Sequence, residues 1–208
     1  MPKASNDLIL RDRLQFDFVS GEDRTTLYGR LDLSDYVNVV KKDGLSIKEL
    51  FLQPRVQGGE DGLNTTTFTN TGMFSQYFCG DIGNQNERAA ALKLYASTRA
   101  YQNASDVGIA SPDVLCVEEW SCFNTQSGTI ADGQQISNCF HTRYGPADLH
   151  PDGFVVVSDL LIGVAGDNIV LGPIDGTTTV EIDVMMIAQP VKITQSRLDE
   201  MLAQAQDL

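Results

Sequence analysis

The sequence predicts an all-β fold, a β-sandwich followed by a short C-terminal helix, on three observations. Most segments alternate apolar and polar residues with a period of two, the pattern of half-buried strands. Turn signals rich in Gly, Asn and Asp interrupt the alternation at short intervals. Only the tail, residues 194–208, carries a helical period. With 208 residues the chain fits one domain and can bury a core without disulfides or a metal. We therefore expect a sandwich over residues 1–193 and an amphipathic helical tail over residues 194–208.

The elements follow in order. "LQFDF" sets Leu14, Phe16 and Phe18 on one face and Gln15 and Asp17 on the other, and "SGED" at 20–23 makes a turn. "TTLYGRLDL" repeats the alternation with Leu27, Leu31 and Leu33 on one face. "KDGLSIKELFL" opens after a Gly turn, "GGEDGLN" is a loop, and the β-branched "TTTFTNT" suits an exposed strand. The alanines of "AALKLYASTRAY" favour a helix. Its alternation over eleven residues decides for a strand: Ala90, Leu92, Leu94, Ala96, Thr98 and Ala100 against Lys93, Tyr95, Ser97, Arg99 and Tyr101. "GFVVVSDLLIGVAGDN" is almost continuously apolar, as one strand covered on both faces would be. "TTTVEIDVMMIAQP" sets Val180, Ile182, Val184 and Met186 against Glu181 and Asp183, and Pro190 ends this strand or marks an edge. In the tail, Leu198, Met201, Leu202 and Ala205 recur at i, i+3, i+4 and i+7, with Ser196 and Asp199 spaced as a capping box. Many short strands of this kind are most often arranged as a Greek key or jelly roll.

Charge narrows the partners. Fifteen basic and 28 acidic residues leave a net charge of −13. This disfavours direct nucleic acid binding, which needs a basic face to release counterions, and disfavours an anionic membrane surface. The N-terminus lacks the basic and apolar regions of a signal peptide, and no run reaches the ~20 apolar residues of a transmembrane span.

Three of the four cysteines and one of the two histidines lie between Leu115 and Gly145. Cys116 and Cys122 on one strand would stand about 20 Å apart, too far to share a zinc ion. Cys139 and His141 share a strand face, yet a site would need His150 or Cys79 to complete it. No nucleophile elbow or protease-like context surrounds the thiols. The plainer reading is buried cysteines acting as small hydrophobes. Two histidines are also too few for the clustered metal set of a cupin. Leu115, Val117 and Phe123 fall on one side of the strand, with Trp120 in the opposite set as a core or interface anchor. Glu118 and Glu119 point to opposite faces.

Glu181 and Asp183 sit like the first acidic residues of the strand motif in concanavalin-like β-sandwich glycoside hydrolases. The motif's further glutamate should fall at Met185 or Met186, so its acid/base is missing, and a solvated strand face is the simpler reading. No catalytic residue, cofactor or metal ligand is therefore assigned.

The strands "LQFDF" and "TTLYGRLDL", the stretch "GFVVVSDLLIGVAGDN", and "TTTVEIDVMMIAQPVKIT" with its tail helix resemble the single jelly-roll capsid proteins of tailless icosahedral viruses. The resemblance is architectural and covers most of the chain. It implies a structural protein made in the host cytoplasm and located in the virion. Its partners would be copies of itself, in capsomers, and other virion proteins. Leu198, Met201, Leu202 and Ala205 would be assembly contacts. "MPKASNDLILRDR" is not the basic arm with which many small capsid proteins hold their genome. The rival is a lectin-like binding module using Tyr95, Tyr101 or Trp120 as stacking platforms and Asp167 or Asp175 for calcium.

Overall fold

The computed structural model describes residues 7–19, 24–56, 66–67, 87–127, 134–151, 153–167, 177–196 and 198–199. Its ten strands are β1 (Leu8–Val19), β2 (Arg24–Leu31), β3 (Asp43–Val56), β4 (Thr66–Thr67), β5 (Glu87–Ser97), β6 (Val114–Ser127), β7 (Gln134–Tyr144), β8 (Phe154–Val156), β9 (Leu160–Asp167) and β10 (Thr177–Lys192). One short helix, α1 (Pro146–Leu149), follows β7. Pro146 supplies its first residue and the Asp148 carboxylate accepts the Gly145 N–H at 2.8 Å.

The strands form two antiparallel sheets. One runs β1-β10-β3, with β4 and β8 both paired to β3; the other runs β2-β9-β5-β6-β7. The pairings nest: β1 with β10, β2 with β9, β3 with β8 and β5 with β6. That is a long hairpin rolled up on itself, with β10–β3 and β9–β5 closing the roll. Such an order is the jelly roll. β4 and β7 are additions to the eight-strand plan.

Alternation explains why the sheets meet. Leu50, Leu52, Ile182, Val184 and Met186 of one sheet and Leu92, Leu94, Ile162 and Val164 of the other share one core cluster. β9 is buried along nearly its whole length because both of its faces are covered. Its outer face and that of β5 support a second cluster of Tyr95, Val107, Val114 and Val117, flanked by Tyr28 and Tyr101. The connection from β5 to β6 covers this cluster. Lys93 donates to the Val107 carbonyl at 2.6 Å and bridges Glu119 at 2.9 Å, which pins that connection down.

Five expectations change. The strand of "AALKLYASTRAY" ends at Ser97, because the chain then leaves the sheet and the Tyr101 N–H is taken by the Tyr28 hydroxyl. "GFVVVSDLLIGVAGDN" is two strands, because Ser158 and Asp159 lie between β8 in one sheet and β9 in the other. Pro190 neither ends β10 nor lies on a sheet-edge strand. It sits past Ala188, the last β10 residue paired with β1 among the described residues. Leu115 parts from Val117 and Phe123: a bulge opposite Ala96 and Ser97 turns it into the main core. Finally, the Thr194 carbonyl accepts the Leu198 N–H, so the tail helix starts before Ser196, and Asp199 accepts from the Gln195 side chain instead. The turn at 20–23 and the loop "GGEDGLN" lie outside the described residues, as does most of "TTTFTNT".

Candidate functional site

The cysteine- and histidine-bearing stretch forms a β6–β7 ribbon at one edge of its sheet. Its register is constant from Val117↔Tyr144 to Ser127↔Gln134. Trp120 therefore faces His141 directly, and their rings stack with centroids 4.4 Å apart and an interplanar angle of 10°. Diagonally across the ladder, His141 Nε2 lies 2.9 Å from Glu118 Oε1. Glu118 is only 6% exposed, and burial raises its pKa above the ordinary value while the hydrogen bond and charge of His141 pull the other way. Arg143, next along β7, donates to the Leu50 carbonyl at 2.7 Å and lies over the Phe51 ring. A cleft of about 800 Å³ opens beside these groups, lined by Glu118, Trp120 and His141 and by parts of β1, β3 and β10.

The thiols divide into two kinds. Cys116 is wholly buried, and burial pushes its thiol up to about 12, so it stays protonated. Cys122 and Cys139 stand directly opposite each other, with Sγ atoms 3.1 Å apart. His150, one of the two residues that would have to complete a zinc site with Cys139 and His141, is held elsewhere: its Nε2 lies 2.7 Å from the Val114 carbonyl and its ring packs edge-on against Phe154. Among the described residues no group of three or more His, Cys, Asp or Glu side chains is placed to hold a metal, and Cys79 lies outside them.

Glu181 and Asp183 do share a face, as the alternation requires, but it is only partly solvated. Glu181 is 5% exposed and accepts from Gln15 at 2.9 Å, while Asp183 bridges Arg13 at 2.6 Å and Arg55 at 3.2 Å. Three strands are cross-linked by charge there, with Arg13 and Arg55 on the strands flanking β10. Sequence alone could not show this, because the partners are 128 and 170 residues away.

The stacking platforms expected of a lectin-like module are not on the surface. Tyr95 is fully buried on Gly163, and Trp120 is buried against His141. Tyr101 is half-buried beneath the Arg99 guanidinium, 4.8 Å from its ring centroid. Asp167 is exposed at the end of β9, and Asp175 lies outside the described residues.

The apolar side chains that are exposed cluster elsewhere. Phe140 (65% exposed) and Tyr144 lie on β7, and Phe123 lies on the neighbouring β6. Among the described residues β7 pairs on one side only, so it is an edge strand of eleven residues carrying exposed aromatics. Sequence alternation could not reveal this, since it does not distinguish an edge from a centre. A second group, Tyr36, Val39 and Val40 (92% exposed), sits in the connection between β2 and β3. In the tail, Leu198 is buried within its own chain, while Met201, Leu202 and Ala205 lie outside the described residues. No described helix is long and apolar enough to cross a membrane.

No family model and no curated protein matches the chain. Among solved structures it is similar to the decameric BFDV capsid protein, with a TM-score of 0.40 and 12% identity over 89% of this chain and 98% of that one. It is also similar to a Desmodium yellow mottle tymovirus structure, with a TM-score of 0.24 and 7% identity over 91% of each. Likenesses this distant carry no argument about activity, and the jelly-roll order stands on the chain's own strand pairing.

Proposed function

We propose that this chain is a non-catalytic structural subunit that self-assembles into a virion shell. The observation that carries the proposal is β7: an eleven-residue edge strand among the described residues, with Phe140 and Tyr144 exposed, on a two-sheet scaffold. A long, apolar strand edge is a site for pairing with another chain unless something covers it. Neighbouring copies in a capsomer would cover it. The jelly-roll order supports the reading by analogy of architecture, since the fold recurs in viral capsid proteins.

In this reading residues 1–193 form the shell domain and residues 194–208 the tail. Leu198 anchors the tail to its own subunit, and Met201, Leu202 and Ala205 extend the apolar stripe toward a neighbour. Other virion proteins complete the particle. With a net charge of −13, the subunit leaves the genome to them. The protein is made in the host cytoplasm and resides in the virion.

Negative-stain imaging of the purified full-length chain tests the reading. Rings or shells of uniform size are expected, and truncation after Ile193 should reduce them. Dispersed single subunits at every protein and salt concentration would overturn it.

A further inference from the structure

We infer that Cys122 and Cys139 are an oxidation site, at which a low-molecular-weight disulfide closes an intrachain bond across the β6–β7 ribbon. The inference stands apart from assembly, since it needs only the single chain. Directly opposed residues in an antiparallel pair have Cα atoms roughly 4.5–5.5 Å apart, inside the range that disulfides span. The two sulfurs are 3.1 Å apart, so only a small closing motion is needed. On its other side Cys122 pairs with Ala90 of β5, a small side chain.

Access differs between the partners and sets the order of events. Cys139 is half-buried on the edge strand, whereas Cys122 is buried in the main core. The Cys139 thiolate attacks one sulfur of the disulfide reagent and displaces a thiolate, leaving a mixed disulfide on Cys139. Cys122, as thiolate, then attacks the Cys139 sulfur and displaces the second thiolate. Two electrons pass from the protein sulfurs to the reagent's S–S bond, and the two thiol protons end on the displaced thiolates. Cys116 takes no part, because burial keeps it a thiol. The product ties the edge strand covalently to its neighbour β6. Reducing compartments keep the pair open and oxidising surroundings close it.

The test uses reduced full-length protein incubated with glutathione disulfide, denatured, alkylated with iodoacetamide and digested without reductant. Cys122 and Cys139 should both escape alkylation and appear as a linked peptide pair. In Cys139→Ser, Cys122 should stay alkylatable, because the accessible entry point is gone. The inference is overturned if Cys122 and Cys139 are both alkylated in the wild type. Cys139 left as a lasting glutathione adduct, or either cysteine linked to Cys79, Cys116 or a second chain, would overturn it equally.

Discussion

The centre and the rim of the β2-β9-β5-β6-β7 sheet are built on opposite principles. At the centre, β9 and β5 are covered on both faces. The Tyr95 ring sits so close to Gly163 that an added Cβ would meet its Cζ at 2.2 Å. The polar groups there satisfy one another. The Tyr28 hydroxyl accepts the Tyr101 N–H and donates to the Tyr101 carbonyl, both at 2.8 Å, and bonds to the Tyr95 hydroxyl. Burial and that bond push the Tyr95 phenol well above the ordinary tyrosine value. At the rim, β7 keeps exposed aromatics, an opposed thiol pair and a carboxylate–imidazole contact. Buried packing fills the centre; exposed aromatics and the half-buried thiol lie at the rim.

Substitutions can break or sharpen this contrast. The largest effect should come from Leu94→Ala in the main core, which leaves a cavity and costs roughly 2–5 kcal/mol in denaturant unfolding. Gly163→Ala follows, because the new methyl must displace the Tyr95 ring or the backbone, at about 1–3 kcal/mol. Tyr28→Phe removes the hydroxyl that serves both main-chain groups of Tyr101, and about 1–3 kcal/mol should be lost. A change of similar size at Phe140, on the rim, would erase the contrast.

The fourth substitution, Glu118→Gln, acts through pH. The folded-state pKa of Glu118 lies above its ordinary value of 4.5, so its contribution is full below that value. It is lost as pH rises through the folded-state pKa. The stability of Glu118→Gln relative to wild type should therefore increase from acid to neutral pH, measured by paired urea melts. An unchanging difference would mean that His141 fully compensates the burial.

The strands at the centre were legible because their alternation records which face is covered, as in Ala90–Ala96 and Val180–Met186. What the sequence hid was register. Glu118 meets His141, and Cys122 meets Cys139, only in the register that sets Ser127 opposite Gln134, which alternation within either strand does not specify. The break between β8 and β9 was hidden differently, because both flanks are apolar and Ser158 and Asp159 look like a minor interruption. Burial of Glu181 was hidden because its partners are remote in sequence.

Phe140→Ser should have the smallest effect on folding, within about 0.5 kcal/mol, since the side chain is exposed. Its effect on association should be the largest of the set, and this separates the two regions most sharply. The direct measurement is absolute mass by light scattering across protein concentration, for wild type and Phe140→Ser side by side. The account predicts discrete high-mass assemblies for the wild type and their loss in a fully folded variant. A monomeric wild type, or assemblies that Phe140→Ser leaves unchanged, would contradict it.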